Sequence, residues 1–184
     1  MKRFFDVVAA GLAIVFLSPI FLSVAIAICL SDFGPVLFRQ RRVGRHGGEF
    51  FIYKFRSMVV NAERLGGYST VDGDARITRV GRFIRRTSLD ELPQLFNVLL
   101  GDMSVVGPRP DVPAQRELYT EAEWCLRHSV RPGITGLAQA TLRSAATQEQ
   151  RKKMDLEYAE RASLLFDLKI IFLTFKQVFG KGGN

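Results

Sequence analysis

Cysteine and histidine are nearly absent from this 184-residue chain: there are two of each, Cys29, Cys125, His46 and His128. Two cysteines, one of them inside an apolar run, make neither a disulfide framework nor a thiolate metal site. The two histidines have no ligand spacing, so histidine-based metal or triad chemistry has no foundation here. The chain also lacks internal repeats and low-complexity linkers, which excludes solenoids and flexible multidomain arrays. Most informative is a missing charge, because Val7 to Leu30 contains no Asp, Glu, Lys or Arg. An uninterrupted apolar run of that length is long enough to cross a bilayer.

Lys2 and Arg3 resemble the basic start of a secretory signal, and Ala25-Ile26-Ala27 resembles a cleavage site. The run is nevertheless too long for a signal core of roughly 7–15 residues. Positive charge lies on both sides, with Lys2 and Arg3 before it and Arg39, Arg41, Arg42 and Arg45 after it. Both flanks therefore favour the cytoplasmic side. Ser18-Pro19 sits near the middle, where proline removes a backbone donor and a serine hydroxyl can satisfy the freed carbonyl. A helix that enters, breaks and returns on one face reconciles these features; an ordinary proline-kinked spanning helix is the alternative.

The remaining chain is long enough for one compact domain. The expected division is a membrane segment over residues 1–34 and a globular domain over 35–184. A net charge of +8 and a pI near 9.9 suit an acidic membrane surface, a phosphorylated ligand or nucleic acid. Pro35 to Gln40 and Phe50 to Phe55 read as β-rich segments joined by the turn Gly44-Arg45-His46-Gly47-Gly48. A helical turn is expected near Val59, then a loop at Gly66-Gly67-Tyr68 and a turn at Asp72 to Arg76. Arg79, Arg82, Arg85 and Arg86 form a basic helical stripe. Gln148 to Arg161 reads as a polar helix carrying Asp155 and Tyr158. Leu164 to Phe179 reads as a helix at the interface or under the domain, with a buried core helix as the alternative.

The strongest chemical signal is Ser88-Leu89-Asp90-Glu91-Leu92-Pro93-Gln94, which sets two adjacent carboxylates at a helix mouth directly after Arg85-Arg86. Paired carboxylates hold a divalent cation or supply a nucleophile, and guanidinium groups neutralise phosphate oxygens. The competing reading is an S-x-x-E capping box with no chemistry in it, although Pro93 is awkward as a fifth helical residue. After Pro93, Leu92, Leu95, Phe96 and Leu99 give an apolar face that ends at Gly101. Gly101 to Pro110 reads as a loop in which Pro108 and Pro110 restrict the backbone around the single guanidinium of Arg109, and Arg131-Pro132-Gly133-Ile134-Thr135-Gly136 reads as a second constrained loop.

Taken in order, Lys2-Arg3-Phe4-Phe5-Asp6, Ser18-Pro19, Lys54-Phe55-Arg56-Ser57-Met58, Arg76 to Gly81, Ser88 to Gln94, Gly107 to Pro110 and Arg131 to Gly136 resemble the bacterial sugar transferases. These are the small monotopic phosphoglycosyl transferases that act on polyprenyl phosphate. The resemblance runs almost end to end. It implies an α/β fold, mostly helical with a small β-hairpin, in a monotopic protein of the bacterial inner membrane. A re-entrant helix broken at Ser18-Pro19 would set one catalytic domain on the cytoplasmic face. It implies that Asp90 attacks the β-phosphate of a UDP-sugar, that UMP leaves, and that polyprenyl (undecaprenyl) phosphate takes the phosphosugar. Asp90 and Glu91 would be catalytic and hold Mg²⁺, with Arg85 and Arg109, and also Arg56, Pro108 and Arg131, as substrate contacts. Membrane lipids are then partners, nucleic acid is not, and a homodimer is allowed. Ala75 before Arg76 departs from the family's frequent proline, and the short chain matches the family's minimal form. Two rivals remain: a membrane-tethered basic adaptor for anionic lipid or nucleic acid, and a phosphatase that uses Asp90 with water as acceptor.

Overall fold

A computed structural model describes residues 1–65, 73–142 and 147–180; the loop expected at Gly66-Gly67-Tyr68 lies outside them. The fold is mostly helical with two small sheets. Helix α1 (Lys2–Ser31) is followed by strands β1 (Leu37–Val43) and β2 (Glu49–Phe55) and by helices α2 (Ala62–Leu65), α3 (Arg79–Arg86) and α4 (Gln94–Leu100). Strand β3 (Ser104–Val106), helix α5 (Glu121–Arg127) and strand β4 (Gly133–Thr135) come next, then helices α6 (Leu137–Leu142), α7 (Gln148–Arg161) and α8 (Leu164–Gly180).

Helical structure is continuous through Ser18-Pro19, with Pro19 inside the helix. Proline at 19 deprives the Val15 carbonyl of its i+4 donor. The Ser18 hydroxyl takes that place, donating to Val15 O at 2.8 Å, and Ser23 Oγ donates to Pro19 O at 2.8 Å. Local side-chain bonding of this kind explains how a proline stays inside an apolar helix. Among the described residues, α1 is the one helix long and apolar enough to cross a membrane.

One stripe of α1 packs inward along the whole helix. Asp6, Ala10, Val24 and Ile28 are buried, and Ala13, Ile14, Leu17 and Phe21 pack between them. Their spacing of three or four residues marks a single helix face. Phe4, Leu12, Val15, Phe16, Leu22, Ile26 and Leu30 are exposed on the rest of the surface. Polar groups fasten both ends to the same domain. Near the start, Asp6 accepts from Ser104 Oγ at 2.9 Å and Val105 N at 3.0 Å, Lys2 pairs with Asp167, and Arg3 donates to Val98 O and Leu99 O. At the far end, Arg56 donates to Asp32 O.

The hairpin β1–β2 is antiparallel, with Leu37 opposite Phe55 and Val43 opposite Glu49. Helix α4 covers the other edge of β2 through Asn97, which is fully buried. Its Oδ1 accepts from Tyr53 N at 2.9 Å and its Nδ2 donates to Phe51 O at 2.8 Å. One side-chain amide thus satisfies two edge groups that would otherwise be orphaned. The buried face of α4 is Gln94, Leu95, Asn97 and Val98. Phe96 and Leu99, expected in the core, are instead partly exposed, and Phe96 meets the Phe21 ring edge-on at 5.8 Å. Gly101 ends the helix at φ 99°, a left-handed conformation that glycine adopts without penalty.

Both segments read as constrained loops contain short strands, since β3 and β4 pair in parallel, Ser104 beside Gly133 and Val106 beside Thr135. A Cβ on Gly107 or Gly133 would collide with the opposing backbone, so the close crossing requires glycine there. Helix α8 divides its surface: Asp167 and Ile170 face the core while Leu165, Leu168, Phe172 and Phe175 are exposed. It therefore has a packed inner face and an apolar outer one.

Candidate active site

Asp90 and Glu91 do not cap a helix. Ser88 adopts φ 57°, ψ 17° and makes no side-chain cap bond, and Leu89–Glu91 forms a 3₁₀ turn before α4 begins after Pro93. Left-handed geometry at a non-glycine residue costs roughly 1–2 kcal/mol, and here it turns the chain sharply between α3 and the acidic pair. Glu91 then meets two cations at one oxygen, Lys54 Nζ at 2.8 Å and Arg109 at 2.6 Å. Lys54 reaches it from β2, the strand that α4 fixes through Asn97.

Arg109 stands on a backbone held at four consecutive carbonyls. Gly133 N donates to Pro108 O at 2.9 Å, Arg127 to Arg109 O at 2.7 Å, Arg42 to Pro110 O at 3.1 Å and Val43 N to Asp111 O at 2.9 Å. All four carbonyls are thereby satisfied, which fixes the backbone from which the Arg109 side chain reaches Glu91. Arg85 comes from α3, where Thr78 caps the helix by accepting from Gly81 N at 2.8 Å. Gly81 lies so close to the Ser57 carbonyl that any Cβ would clash, and Arg85 Nε consequently reaches Ser57 Oγ at 2.8 Å.

The electrostatics separate the two acids. Burial raises the Asp90 pKa, the neighbouring Glu91 charge raises it further, and Lys54, Arg85 and Arg109 partly oppose both. Burial also works against the Glu91 charge, but Arg109 and Lys54 outweigh it and hold the acid near 2. Glu91 is therefore a fixed anion while Asp90 titrates closer to neutrality. Burial depresses Lys54, and Glu91 offsets part of that effect.

A cleft of about 660 Å³ opens beside this cluster. Ala13 and Leu17 of α1, with Leu92 and Leu95, make an apolar wall; Ser88, Glu91 and Arg109 make a charged one; Thr135, Gln139, Arg151, Asp155, Thr174 and Gln177 make a polar one. Asp90 is buried and does not line the cleft itself. Behind the polar wall, Arg127 pairs with both Asp111 and Asp155. Burial pushes Asp111 up to about 6 against the pull of Arg127, and the nearby Asp155 charge adds to the rise. Among the described residues no three His, Cys, Asp or Glu side chains cluster for a metal.

The structure thus brings Asp90, Glu91, Arg109 and, through Coulombic reach, Arg85 into one cluster. Two other expected contacts fall elsewhere. Arg56 is buried against Asp32 at the end of α1. Arg131 donates from Nε to Gly101 O at 2.8 Å, so it joins Arg3 in neutralising the C-terminal carbonyls of α4. Pro108 contributes its carbonyl to the loop. Lys54 was visible as a lone cation in the apolar segment Phe50 to Phe55, whereas Arg42, Arg127 and Gln139 carry no local signal that separates them from other polar residues.

A family model described as "Bacterial sugar transferase" matches residues 1–181. The chain belongs to the bacterial sugar transferase family. It is 46% identical over 181 residues to the UDP-glucose:undecaprenyl-phosphate glucose-1-phosphate transferase of Escherichia coli (strain K12), covering 95% of this chain and 39% of that protein. It is 44% identical over 186 residues to the UDP-N-acetylgalactosamine-undecaprenyl-phosphate N-acetylgalactosaminephosphotransferase of Aeromonas hydrophila, covering 97% and 43%. An uncharacterised sugar transferase, EpsL of Bacillus subtilis (strain 168), is 42% identical over all of this chain and 89% of its own. The chain thus spans less than half the length of the first two relatives. Its match to this family is nevertheless continuous from α1 through α8.

Proposed function

We infer that this protein transfers a sugar 1-phosphate from a UDP-sugar to polyprenyl phosphate at the cytoplasmic face of the bacterial inner membrane. The observation that carries the reading is Glu91, clamped by Lys54 and Arg109 at the edge of a cleft whose apolar wall includes residues of α1, with the buried Asp90 next to it in the chain. A phosphorylated lipid needs both surfaces, and a soluble nucleotide donor needs the polar wall opposite. Similarity to transferases named for undecaprenyl phosphate and UDP-sugars supports the same substrates.

In the inferred reaction an Asp90 carboxylate oxygen attacks the β-phosphorus of the donor. The bond from that phosphorus to the bridging oxygen breaks, and UMP leaves with the electron pair. An oxygen of polyprenyl phosphate then attacks the same phosphorus, and Asp90 departs as carboxylate. Arg109, Lys54 and Arg85 supply the positive field for the phosphate oxygens. Asp90 and Glu91 offer hard oxygen ligands suited to Mg²⁺, which takes one or two carboxylates and completes its shell with phosphates and water. Such an ion would supply further charge neutralisation on the diphosphate.

The membrane arrangement is inferred from α1. A straight 30-residue helix would be about 45 Å long, more than the roughly 30 Å hydrocarbon core. Attachment of both ends to one domain, basic flanks on both sides and Pro19 at the centre support a bent helix that enters and leaves by the same face. The active cleft then lies at headgroup depth, where a water-soluble donor meets a lipid phosphate. Residues 1–34 serve in this reading as the membrane element and 35–184 as the catalytic domain.

Incubation of detergent-solubilised protein with a panel of UDP-sugars, Mg²⁺ and polyprenyl phosphate tests the reading. Release of UMP that disappears in Asp90→Asn is expected. Release of UDP would indicate ordinary glycosyl transfer, and dependence on water alone would favour the phosphatase.

A further inference from the structure

On the polar wall of the cleft, three side-chain atoms of two residues are buried without a hydrogen-bond partner: Gln139 Nε2, Gln139 Oε1 and Asp155 Oδ1. Buried polar groups are normally paired, and each unpaired one costs roughly 1–3 kcal/mol. Asp155 is only 4% exposed and has its other oxygen committed to Arg127 at 2.7 Å. The Gln139 amide packs beside Gly136, where a Cβ would meet the Gly107 carbonyl at 2.3 Å and Gln139 Oε1 at 2.8 Å. The fold therefore leaves one donor and two acceptors unpaired on two residues that line the same cleft.

We propose that Gln139 and Asp155 form the subsite that recognises the uncharged, hydroxyl- or N–H-bearing part of the nucleotide-sugar donor. This rests on the donor reading given above. The charged wall of Glu91 and Arg109 suits the diphosphate, and the apolar wall of Ala13, Leu17, Leu92 and Leu95 offers no hydrogen bonds. The polar wall, whose Gln139 and Asp155 atoms are not already paired, is the one with free capacity to read hydroxyls or an imide. A paired donor and acceptor on one amide, with a carboxylate oxygen alongside, matches groups that both give and take hydrogen bonds. Two parts of the donor carry such groups, the sugar ring and the uridine. Arg127 connects the subsite to the cluster, since it donates to Asp155 Oδ2 and to the Arg109 carbonyl.

The test compares wild type, Gln139→Met and Asp155→Asn by thermal unfolding and by binding of UMP, UDP-glucose and UDP-N-acetylgalactosamine. Replacing an unpaired buried amide by a thioether of similar volume should leave the melting temperature unchanged or raise it. Donor binding should weaken roughly tenfold or more, the equivalent of one or two lost hydrogen bonds. Weakening of UMP as well places the subsite on the uridine; weakening confined to one or both UDP-sugars places it on the sugar. Unchanged affinity for all three ligands in both variants would overturn the proposal, as would a fall in melting temperature with affinity retained. Should Gln139→Met fail to fold, unchanged binding by Asp155→Asn overturns it alone. UMP release measured on the same preparations separates this claim from the transfer reading: loss of binding without Asp90-dependent release would remove the mechanism and leave the subsite.

Discussion

Replacing Glu91 by Gln should reduce stability by an amount that depends on pH in a defined direction. The folded protein holds the Glu91 pKa near 2, against an ordinary 4.5. At about 1.4 kcal/mol per unit this corresponds to roughly 3 kcal/mol of preference for the anion. Arg109, the larger cause, is about half exposed, with 49% of its side chain accessible, so solvent screening reduces the share that reaches stability. Removing Glu91 also relieves the burden on Asp90, whose raised pKa opposes folding as pH climbs above its unfolded value. A net loss of about 1–2 kcal/mol near neutrality is expected. Because the folded pKa of Glu91 is depressed, its stabilisation is present above about 4.5 and is lost as pH falls toward 2. Urea unfolding of both proteins in the same detergent from pH 7 to 3 should show the gap closing toward acid. A gap independent of pH, or a Glu91→Gln protein more stable at every pH, would refute the clamp by Lys54 and Arg109.

Three further outcomes follow from the same geometry. In the inferred mechanism Asp90 attacks as a carboxylate, so UMP release should decline on the acid side, and Lys54→Met should move that limb to higher pH by removing one of the cations that hold Asp90 down; a limb that stays put or moves lower contradicts this. Ser88→Gly should fold at least as stably as wild type, whereas Ser88→Val should lose about 1–2 kcal/mol in urea unfolding, because a β-branched residue resists the left-handed conformation; tolerance of valine would show that the turn has another geometry. Phe4→Cys and Phe33→Cys, both at exposed positions and each introduced after replacing the exposed Cys29 and Cys125 by serine, should react with an impermeant maleimide from the cytoplasmic side only; labelling from opposite sides would establish a spanning helix.

Much of the scaffold was legible because its signals are local. The hairpin follows from two β-rich runs around a glycine turn, α3 from its basic stripe, and α7 and α8 from their composition. The short strands β3 and β4 were not, since each has three residues and they pair across a long separation, so proline and glycine made them read as loops. Capping boxes gave an instructive reversal. The pattern Ser88 to Glu91 makes none, because Pro93 delays α4 and Ser88 turns left-handed. The same pattern at Thr120–Glu123 and at Thr147–Gln150 does form, starting α5 and α7. In the site, Asp90, Glu91 and Arg109 stood out through adjacency and proline flanks. Arg56 and Arg131 looked equivalent in sequence, yet tertiary packing commits them to Asp32 and Gly101. The support given by Arg42 and Arg127 to the Arg109 loop exists only in three dimensions.

The most direct test of the inferred mechanism is the intact mass of the protein after incubation with a UDP-sugar and Mg²⁺ in the absence of polyprenyl phosphate. Wild type should gain the mass of one phosphosugar, mapped to Asp90 and discharged on adding polyprenyl phosphate, while Asp90→Asn should gain nothing. Steady UMP production with no such adduct, or an adduct that persists in Asp90→Asn, would contradict the account.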